Sequence, residues 1–264
     1  MNPADLLAQF SEQQVAGFIL VLARISPLFV LAPLFSSKML PVRARGIVGV
    51  GLTLGIMPIA LHAGDGQEIP MDVLPLAGLI LKELLVGAAF SFVLAALFAA
   101  VSAAGSLVDT LIGFTFSSLV DPVNGSQSSV MSNVYSLLGV AVFIAIDGDA
   151  WVVQGLARTY DAVPLLSAPK IGSLVGGMEL AFSGILGAAV EISAPIVLAL
   201  ILTDAAFGVV ARVMPQLNVF AVGFPAKMVV GLTIVGASLP FVSGWLGDQL
   251  QQSVLSALAA LKVA

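Results

Sequence analysis

Charged side chains are scarce in this sequence. Only 9% of its 264 residues are Asp, Glu, Lys or Arg, whereas 59% are hydrophobic. A soluble domain carries roughly 25% charged residues because its surface faces water. A chain with so few charges cannot cover a water-facing shell of its own, so it must be surrounded by lipid or by other apolar subunits.

The residues of common catalytic and metal sites are also missing. The chain has no cysteine and a single histidine, His62, which excludes disulfides, thiolate metal sites and a His-Glu-x-x-His zinc motif. Asp147-Gly148-Asp149 lacks the remaining ligands of a calcium loop and predicts a turn. Ten basic residues against 15 acidic ones leave no basic surface for nucleic acid. We therefore predict a protein that is not an enzyme and binds no cofactor.

Six apolar runs divide the chain, at residues 15–35, 46–61, 73–108, 130–146, 171–203 and 222–246. Backbone groups in lipid must be satisfied inside a helix or a closed barrel, and these runs lack the alternation of barrel strands. The sequence predicts an all-α polytopic membrane protein with about six spans. Acidic residues precede the first run where a secretory signal would be basic, so we expect the first span to be retained.

Proline interrupts several of these runs. Pro27 and Pro33 lie in the first run, Pro195 in the fifth and Pro240 in the sixth. A proline within a helix removes one backbone hydrogen bond and kinks the helix. Glycine and alanine also recur at spacings of four, which lets neighbouring helix backbones come close. The sequence predicts kinked helices packed among neighbours, although ordinary membrane-helix composition explains any single pair of small residues equally well.

Ionisable residues inside the apolar runs are the strongest functional signal. Such residues are costly in a membrane unless they are paired or face water. A proton or ion relay is one interpretation, but no basic residue at helical spacing completes one, so pairing between subunits is favoured. Lys82 and Glu83 are adjacent, which predicts different helix faces and different partners. The candidate buried charges are Arg24, Glu83, Asp109, Glu191 and Asp204.

Two stretches do not fit continuous helices. Residues 105–116 mix glycine, aromatic and acidic residues, and the turn signal at 121–125 follows, which predicts that the helix fails soon after Gly113. Pro215 and Pro225 bracket a polar break between the fifth and sixth runs. An apolar loop at membrane depth must be buried in protein or line a cavity. An ordinary hairpin connection is the alternative for both stretches.

The second stretch resembles the C-terminal signature of the FliR family, a component of type III secretion export gates. The matching residues are Pro215-Gln216-x-Asn218-x-Phe220, then Gly223-x-Pro225-x-Lys227 and Gly231. Weaker matches are Arg24-x-x-Pro27, Pro41 in the first loop, Glu83 with Gly87, and Gly105, Asp109 and Gly113 with Asp121-Pro122. The resemblance thus covers most of the chain, and the Pro-Gln-x-Asn-x-Phe element is its most specific part.

The resemblance implies one unit over residues 1–264, a FliP-like portion followed by a C-terminal FliQ-like hairpin. It implies assembly with FliP and FliQ into a hetero-oligomeric gate, contact with FlhB, and passage of unfolded flagellar proteins. The expected location is the bacterial inner membrane, surrounded by lipid, at the flagellar basal body. These implications come from the family and not from the composition of the chain.

The resemblance also implies two sets of functional residues. A pore loop, formed by Gly113, Phe114, Thr115 and Phe116, is expected to project into the channel, where its aromatic rings would block water and ions. The expected assembly motif comprises Arg212, Pro215, Gln216, Asn218, Phe220, Gly223, Pro225 and Lys227.

Two other functions stay open. An injectisome homologue of the same architecture would share these motifs, although the run that follows Phe220 favours a flagellar protein. A small-molecule secondary transporter would show an inverted repeat and a charged site near the middle of the membrane. Neither of these features is visible in the sequence.

Overall fold

The structure, a computed structural model, describes residues 11–36, 41–63, 68–114, 129–216 and 218–262, and every regular element in these ranges is helical. The helices, numbered along the chain, are α1 (Glu12–Ile25), α2 (Leu28–Leu31), α3 (Pro33–Ser36), α4 (Val42–His62), α5 (Val73–Ile112), α6 (Val130–Ala145), α7 (Gly148–Ala162), α8 (Ile171–Val213) and α9 (Val219–Lys262). The predicted all-α fold is confirmed within the described ranges.

The first apolar run forms one helix and two short ones. A capping box starts α1, because the Ser11 hydroxyl accepts from the Gln14 amide (3.2 Å) and the Gln14 side chain accepts from the Ser11 amide (3.1 Å). The helix ends just before Pro27, and α2 and α3, of four residues each, are separated at Pro33. Both prolines therefore break the run as predicted.

The third run forms a single 40-residue helix, α5. Its most apolar window has a mean hydropathy of 2.5, and 67% of that window is buried within the chain. Gly113, at φ 99°, adopts the left-handed conformation that ends a helix without a steric cost for glycine. The helix thus ends where the sequence predicts.

A short turn joins α6 and α7. Asp147 stands between them in the left-handed conformation (φ 54°). Aspartate tolerates this conformation better than most residues, so the predicted turn at 147–149 is present. Helix α7 itself was not predicted, because Gln154, Arg158 and Asp161 interrupt its apolar pattern.

The two longest helices continue through their prolines. Pro195 lies inside α8, and Pro225 and Pro240 lie inside α9. The predicted break from Pro215 to Pro225 is therefore too long, because α9 already begins at Val219. A proline removes one backbone hydrogen bond, whereas ending the helix in apolar surroundings would expose several, so the helix continues.

Five helical segments are long and apolar enough to cross a membrane, or six when the bent pair α6–α7 counts as one span. This number agrees with the six apolar runs of the sequence. The chain is a multi-pass membrane protein.

The chain divides into two compact units. The first contains residues 1–95, 147–182 and 250–264. Its core includes the fully buried side chains of Leu20, Val86, Phe90, Leu156 and Tyr160.

The second unit contains residues 96–146 and 183–249. Phe98 and Phe143 meet edge to face in it, with ring centroids 5.5 Å apart. Val101, Ile112 and Leu200 are fully buried there. The FliP-like portion and the FliQ-like hairpin within one 1–264 unit stay a prediction.

Much of the apolar surface of α8 is not covered by the chain. Only 28% of its most apolar window is buried, against 67% for α5. Leu180, Leu186 and Leu198 are each at least 60% exposed. These side chains need lipid or other apolar subunits around them, as the shortage of charge predicts.

Candidate functional site

A buried ion pair joins α1 to α5 in the first unit. The Nε atom of Arg24 donates to the Glu83 carboxylate, and both side chains are 0% exposed. The two terminal nitrogens of Arg24 donate to the Thr159 hydroxyl (3.2 Å) and the Val163 carbonyl oxygen (2.8 Å). Every nitrogen of this buried guanidinium therefore has an acceptor, which a buried charge requires. Arg24 thus links α1 with α5 and with the end of α7.

Lys82 adds a second cation to the same carboxylate. Its Nζ atom lies 2.8 Å from the second oxygen of Glu83, and it also donates to the carbonyl oxygens of Leu165 and Pro164. The prediction that Lys82 and Glu83 meet different partners is therefore incomplete. The Lys82 chain is long and flexible enough to bend back to its neighbour although the two Cβ atoms diverge. One carboxylate is enclosed between two cations.

An aromatic ring covers the remaining face of Arg24. The guanidinium carbon lies 3.9 Å from the ring centroid of Tyr160, a cation–π geometry that stabilises a desolvated cation. Thr159, Tyr160 and Val163 were not predicted as partners. They are at least 135 residues from Arg24 in the sequence, and no local motif marks them.

Gly87 brings the backbones of α1 and α5 into contact. A Cβ atom at this position would lie 2.8 Å from the Arg24 carbonyl carbon and 3.1 Å from its Cα atom. Gly87 is one helical turn after Glu83 and therefore shares its face of α5. The glycine thus allows α1 to approach closely enough for the Arg24–Glu83 pair to form.

A second close helix crossing holds α5 against α6 in the second unit. A Cβ atom at Gly105 would lie 2.6 Å from the Met131 carbonyl oxygen. On the same face of α5, the Ser102 and Ser132 hydroxyls are 2.7 Å apart, and Asp109 Oδ1 accepts from the Met131 amide at 3.2 Å. Ser102, Gly105 and Asp109 form a polar strip that fixes the start of α6.

Asp109 also fixes the start of the predicted pore loop. Its carbonyl oxygen accepts from the amides of Gly113 (3.1 Å) and Phe114 (3.2 Å), and its side chain is only 2% exposed. Gly113 is buried and Phe114 is half-buried. Thr115 and Phe116 lie outside the described residues. Asp109 therefore holds the end of α5 through its carbonyl and the start of α6 through its carboxylate.

The predicted assembly motif lies around the α8–α9 connection. Asn218 precedes α9 and caps its first turn, because its side-chain oxygen accepts from the Ala221 amide at 3.2 Å. Arg212, Pro215 and Gln216 are exposed, whereas Gly223 is buried. Pro225 is exposed inside α9, and Phe220 belongs to the same helix, although its side chain is not described. The connection therefore offers an exposed polar surface with one fixed helix start.

Two of the predicted buried charges are exposed on the chain. Asp204 is 52% exposed and pairs with Lys227, whose Nζ atom lies 2.8 Å from Oδ1. Glu191, on α8, is also exposed. Arg24, Glu83 and Asp109 are buried. Their burial follows from partners within the chain, which Glu191 lacks among the described residues.

Within the described ranges, no group of three or more His, Asp or Glu side chains is placed to hold a metal ion. The polar side chains described above hold helices together.

Comparison with known proteins finds relatives along most of the chain. Bacterial export proteins, family 1, match residues 15–253. The flagellar biosynthetic protein FliR of Bacillus subtilis (strain 168) is 32% identical over 232 residues, 86% of this chain and 88% of its own. FliR of Escherichia coli (strain K12) is 27% identical over 222 residues, 84% of each chain. The surface presentation of antigens protein SpaR of Salmonella typhimurium is 27% identical over 223 residues, 84% of this chain and 82% of its own.

Replacing Glu83 by leucine should strongly destabilise the first unit. The substitution leaves Arg24 and Lys82 without their shared carboxylate, and breaking a buried ion pair costs about 3–5 kcal/mol. Thermal unfolding of the detergent-purified protein, followed by circular dichroism, measures the change. Glu179→Leu is the control, because that carboxylate is exposed and its loss should change stability by less than about 0.5 kcal/mol. Equal unfolding temperatures for the two variants would contradict the role of the pair.

Two glycine substitutions in α5 should have opposite effects. Gly87→Ala forces a Cβ atom against the Arg24 backbone and should cost about 1–3 kcal/mol. Gly78→Ala meets open space in the same helix and should add about 0.5–1 kcal/mol through helix propensity. The same unfolding measurement decides between them. A stabilising Gly87→Ala would show that α1 and α5 are not in backbone contact.

Proposed function

Because the chain belongs to family 1 of the bacterial export proteins, we propose that it forms part of the flagellar type III protein export gate. In this proposal it assembles with FliP and FliQ into the channel for unfolded flagellar proteins, contacts FlhB, and resides in the inner membrane at the flagellar basal body. The observation that carries the proposal is the family match over residues 15–253, and the FliR relatives support its flagellar assignment.

The distribution of apolar surface supports a role inside an assembly. The most apolar window of α5 is 67% buried within the chain, whereas those of α4 and α8 are only 22% and 28% buried. A monomeric membrane protein also exposes apolar residues to lipid. Charged side chains among those residues would be costly, because lipid cannot pair with them. Glu191 and Asp204 both lie on the exposed surface of α8, which favours neighbouring subunits.

The geometry around Asp109 supports a pore loop at Gly113, Phe114, Thr115 and Phe116. Asp109 hydrogen-bonds both to the start of α6 and to the amides of Gly113 and Phe114, which defines where these two residues lie. Aromatic side chains at a constriction exclude water and ions, yet they can turn aside for a polypeptide. We propose that Phe114 and Phe116 close the channel at rest.

A secretion system with a SpaR-type protein is the second candidate. The similarity to SpaR covers almost the same share of the chain as the similarity to FliR of Escherichia coli. An injectisome export gate would use the same architecture with different exported proteins. The family match gives no support to a small-molecule transporter.

Deleting the gene should abolish both swimming and the release of flagellar filament protein into the medium. The wild-type gene should restore both, together with recovery of FliP and FliQ on a tagged copy. Asn218→Leu should fail to restore them, because α9 loses the acceptor that caps its first turn.

Asn218→Ser is the matched control for this experiment, because its hydroxyl can cap the helix in the same way. Normal export in the deletion strain would overturn the flagellar assignment. Loss of a different set of secreted proteins would instead support the SpaR-type system. Full co-purification of the Asn218→Leu protein would show that this region is not an assembly element.

Replacing Phe114 and Phe116 together by alanine should make the resting channel leak. The smaller side chains leave space for water, so ion conductance and the uptake of small osmolytes should rise severalfold while the assembly is still recovered. The double leucine variant keeps the site apolar and bulky and should stay tight. An assembled alanine variant without increased conductance would remove these residues from the seal.

A further inference from the structure

Glu191 lies near the middle of the apolar helix α8. It is 20 residues from the start of the 43-residue helix α8 and 22 residues from its end. At a rise of 1.5 Å per residue, each end is about 30 Å away. A side chain can bring its charge to water near a helix end, but not over this distance. The Glu191 carboxylate therefore stays where the helix places it.

Within the described ranges, no cation of the chain pairs with this carboxylate. Among the residues that the structure describes, Glu191 takes part in neither a hydrogen bond nor an ion pair. Arg24 and Lys82 are used by Glu83, and Lys227 is used by Asp204. An ionised group surrounded by apolar side chains is costly unless an opposite charge meets it.

The residues around Glu191 leave room for another helix backbone. Three small residues lie on the same face of α8 as Glu191. Gly184 and Gly187 precede Glu191 by seven and four residues, and Ala194 follows it by three. A Cβ atom at Gly184 or Gly187 would meet nothing within 4 Å. The flanking Val190 and Leu198 are 58% and 60% exposed. We call these six residues the Glu191 face.

We propose that the Glu191 face is the docking surface for a helix of another apolar subunit, which places a lysine or arginine opposite Glu191. The small residues allow close approach of the two helices, and the carboxylate selects a partner with a cation at that level. The inference rests on the proposed function only in requiring that the chain works within a multi-subunit assembly.

The charge of the face argues against other occupants. Lipid chains offer nothing to balance a carboxylate at this position. A second copy of this chain, paired through the same face by a two-fold axis, would bring a carboxylate face against a carboxylate face. A different subunit with a cation satisfies both the charge and the shape.

Charge substitutions in the complete assembly test the proposal. Glu191→Lys should lower the yield of partner subunits recovered with the chain from native membranes by at least about tenfold, because it sets two cations against each other. Glu191→Gln removes the attraction without repulsion and should lower the yield less. Glu179→Lys is the matched control, because Glu179 is an exposed carboxylate about 120° around the same helix and only eight residues from its start. Its yield should stay within about twofold of the unsubstituted protein.

The outcomes separate this inference from the proposed function. If the unsubstituted chain recovers no FliP or FliQ, the proposed function fails. If it recovers them and Glu191→Lys does so equally well, the docking proposal is overturned and the gate assignment stands.

A cross-link identifies the partner even if the charge variants fail to accumulate. The chain has no cysteine, so Gly187→Cys gives a single thiol that can carry a photoreactive reagent within the assembly. The expected product is a peptide of a different apolar subunit with lysine or arginine within about one helical turn of the cross-linked residue. A product with a second copy of this chain, with lipid alone, or with a peptide lacking a nearby cation would overturn the proposal.

Discussion

The Glu83 carboxylate, enclosed between Arg24 and Lys82, determines how the helices of the first unit are arranged. A carboxylate between two cations and a buried guanidinium with three acceptors restrict where α1 can lie against α5 and the end of α7. Apolar contacts alone would allow these helices to slide or rotate with little penalty. The ionic cluster removes that freedom, because any shift leaves a charge unpaired inside the protein. Gly87 supports it by letting the two backbones touch.

Four carboxylates within the apolar helices differ in how they are paired. Glu83 and Asp109 are satisfied inside the chain, the first by cations and the second by a backbone amide. Asp204 has a cation on α9 but is still half exposed. Glu191 has no partner among the described residues. Glu83 and Asp109 are therefore buried with partners inside the chain, whereas Asp204 and Glu191 lie on the exposed surface of α8, where only 28% of the most apolar window is buried.

The sequence predicted what depends on local composition and missed what depends on distant contacts. Apolar runs located the long helices, and Gly113 located the end of α5. Helix α7 was not predicted, because its polar residues are as typical of a loop between two apolar runs as of a helix. Arg24 and Glu83 were identified as costly charges, but Thr159 and Val163 could not be, since only folding brings them near. The break predicted to extend to Pro225 was too long, because in apolar surroundings a helix that loses one hydrogen bond at a proline is less costly than a helix that ends there.

The surroundings of the glycines indicate which helix surfaces are covered by the chain itself. A Cβ atom at Gly87 or Gly105 would lie less than 3 Å from the backbone of another helix of the chain. The missing side chain at these two positions therefore allows helices of this chain to cross closely. Gly184 and Gly187 have nothing within 4 Å, although each weakens its helix by about 1 kcal/mol relative to alanine. The first pair marks where helices of this chain cross. The second pair leaves room for a similar crossing, and the Glu191 carboxylate on the same face favours another subunit over lipid at that position.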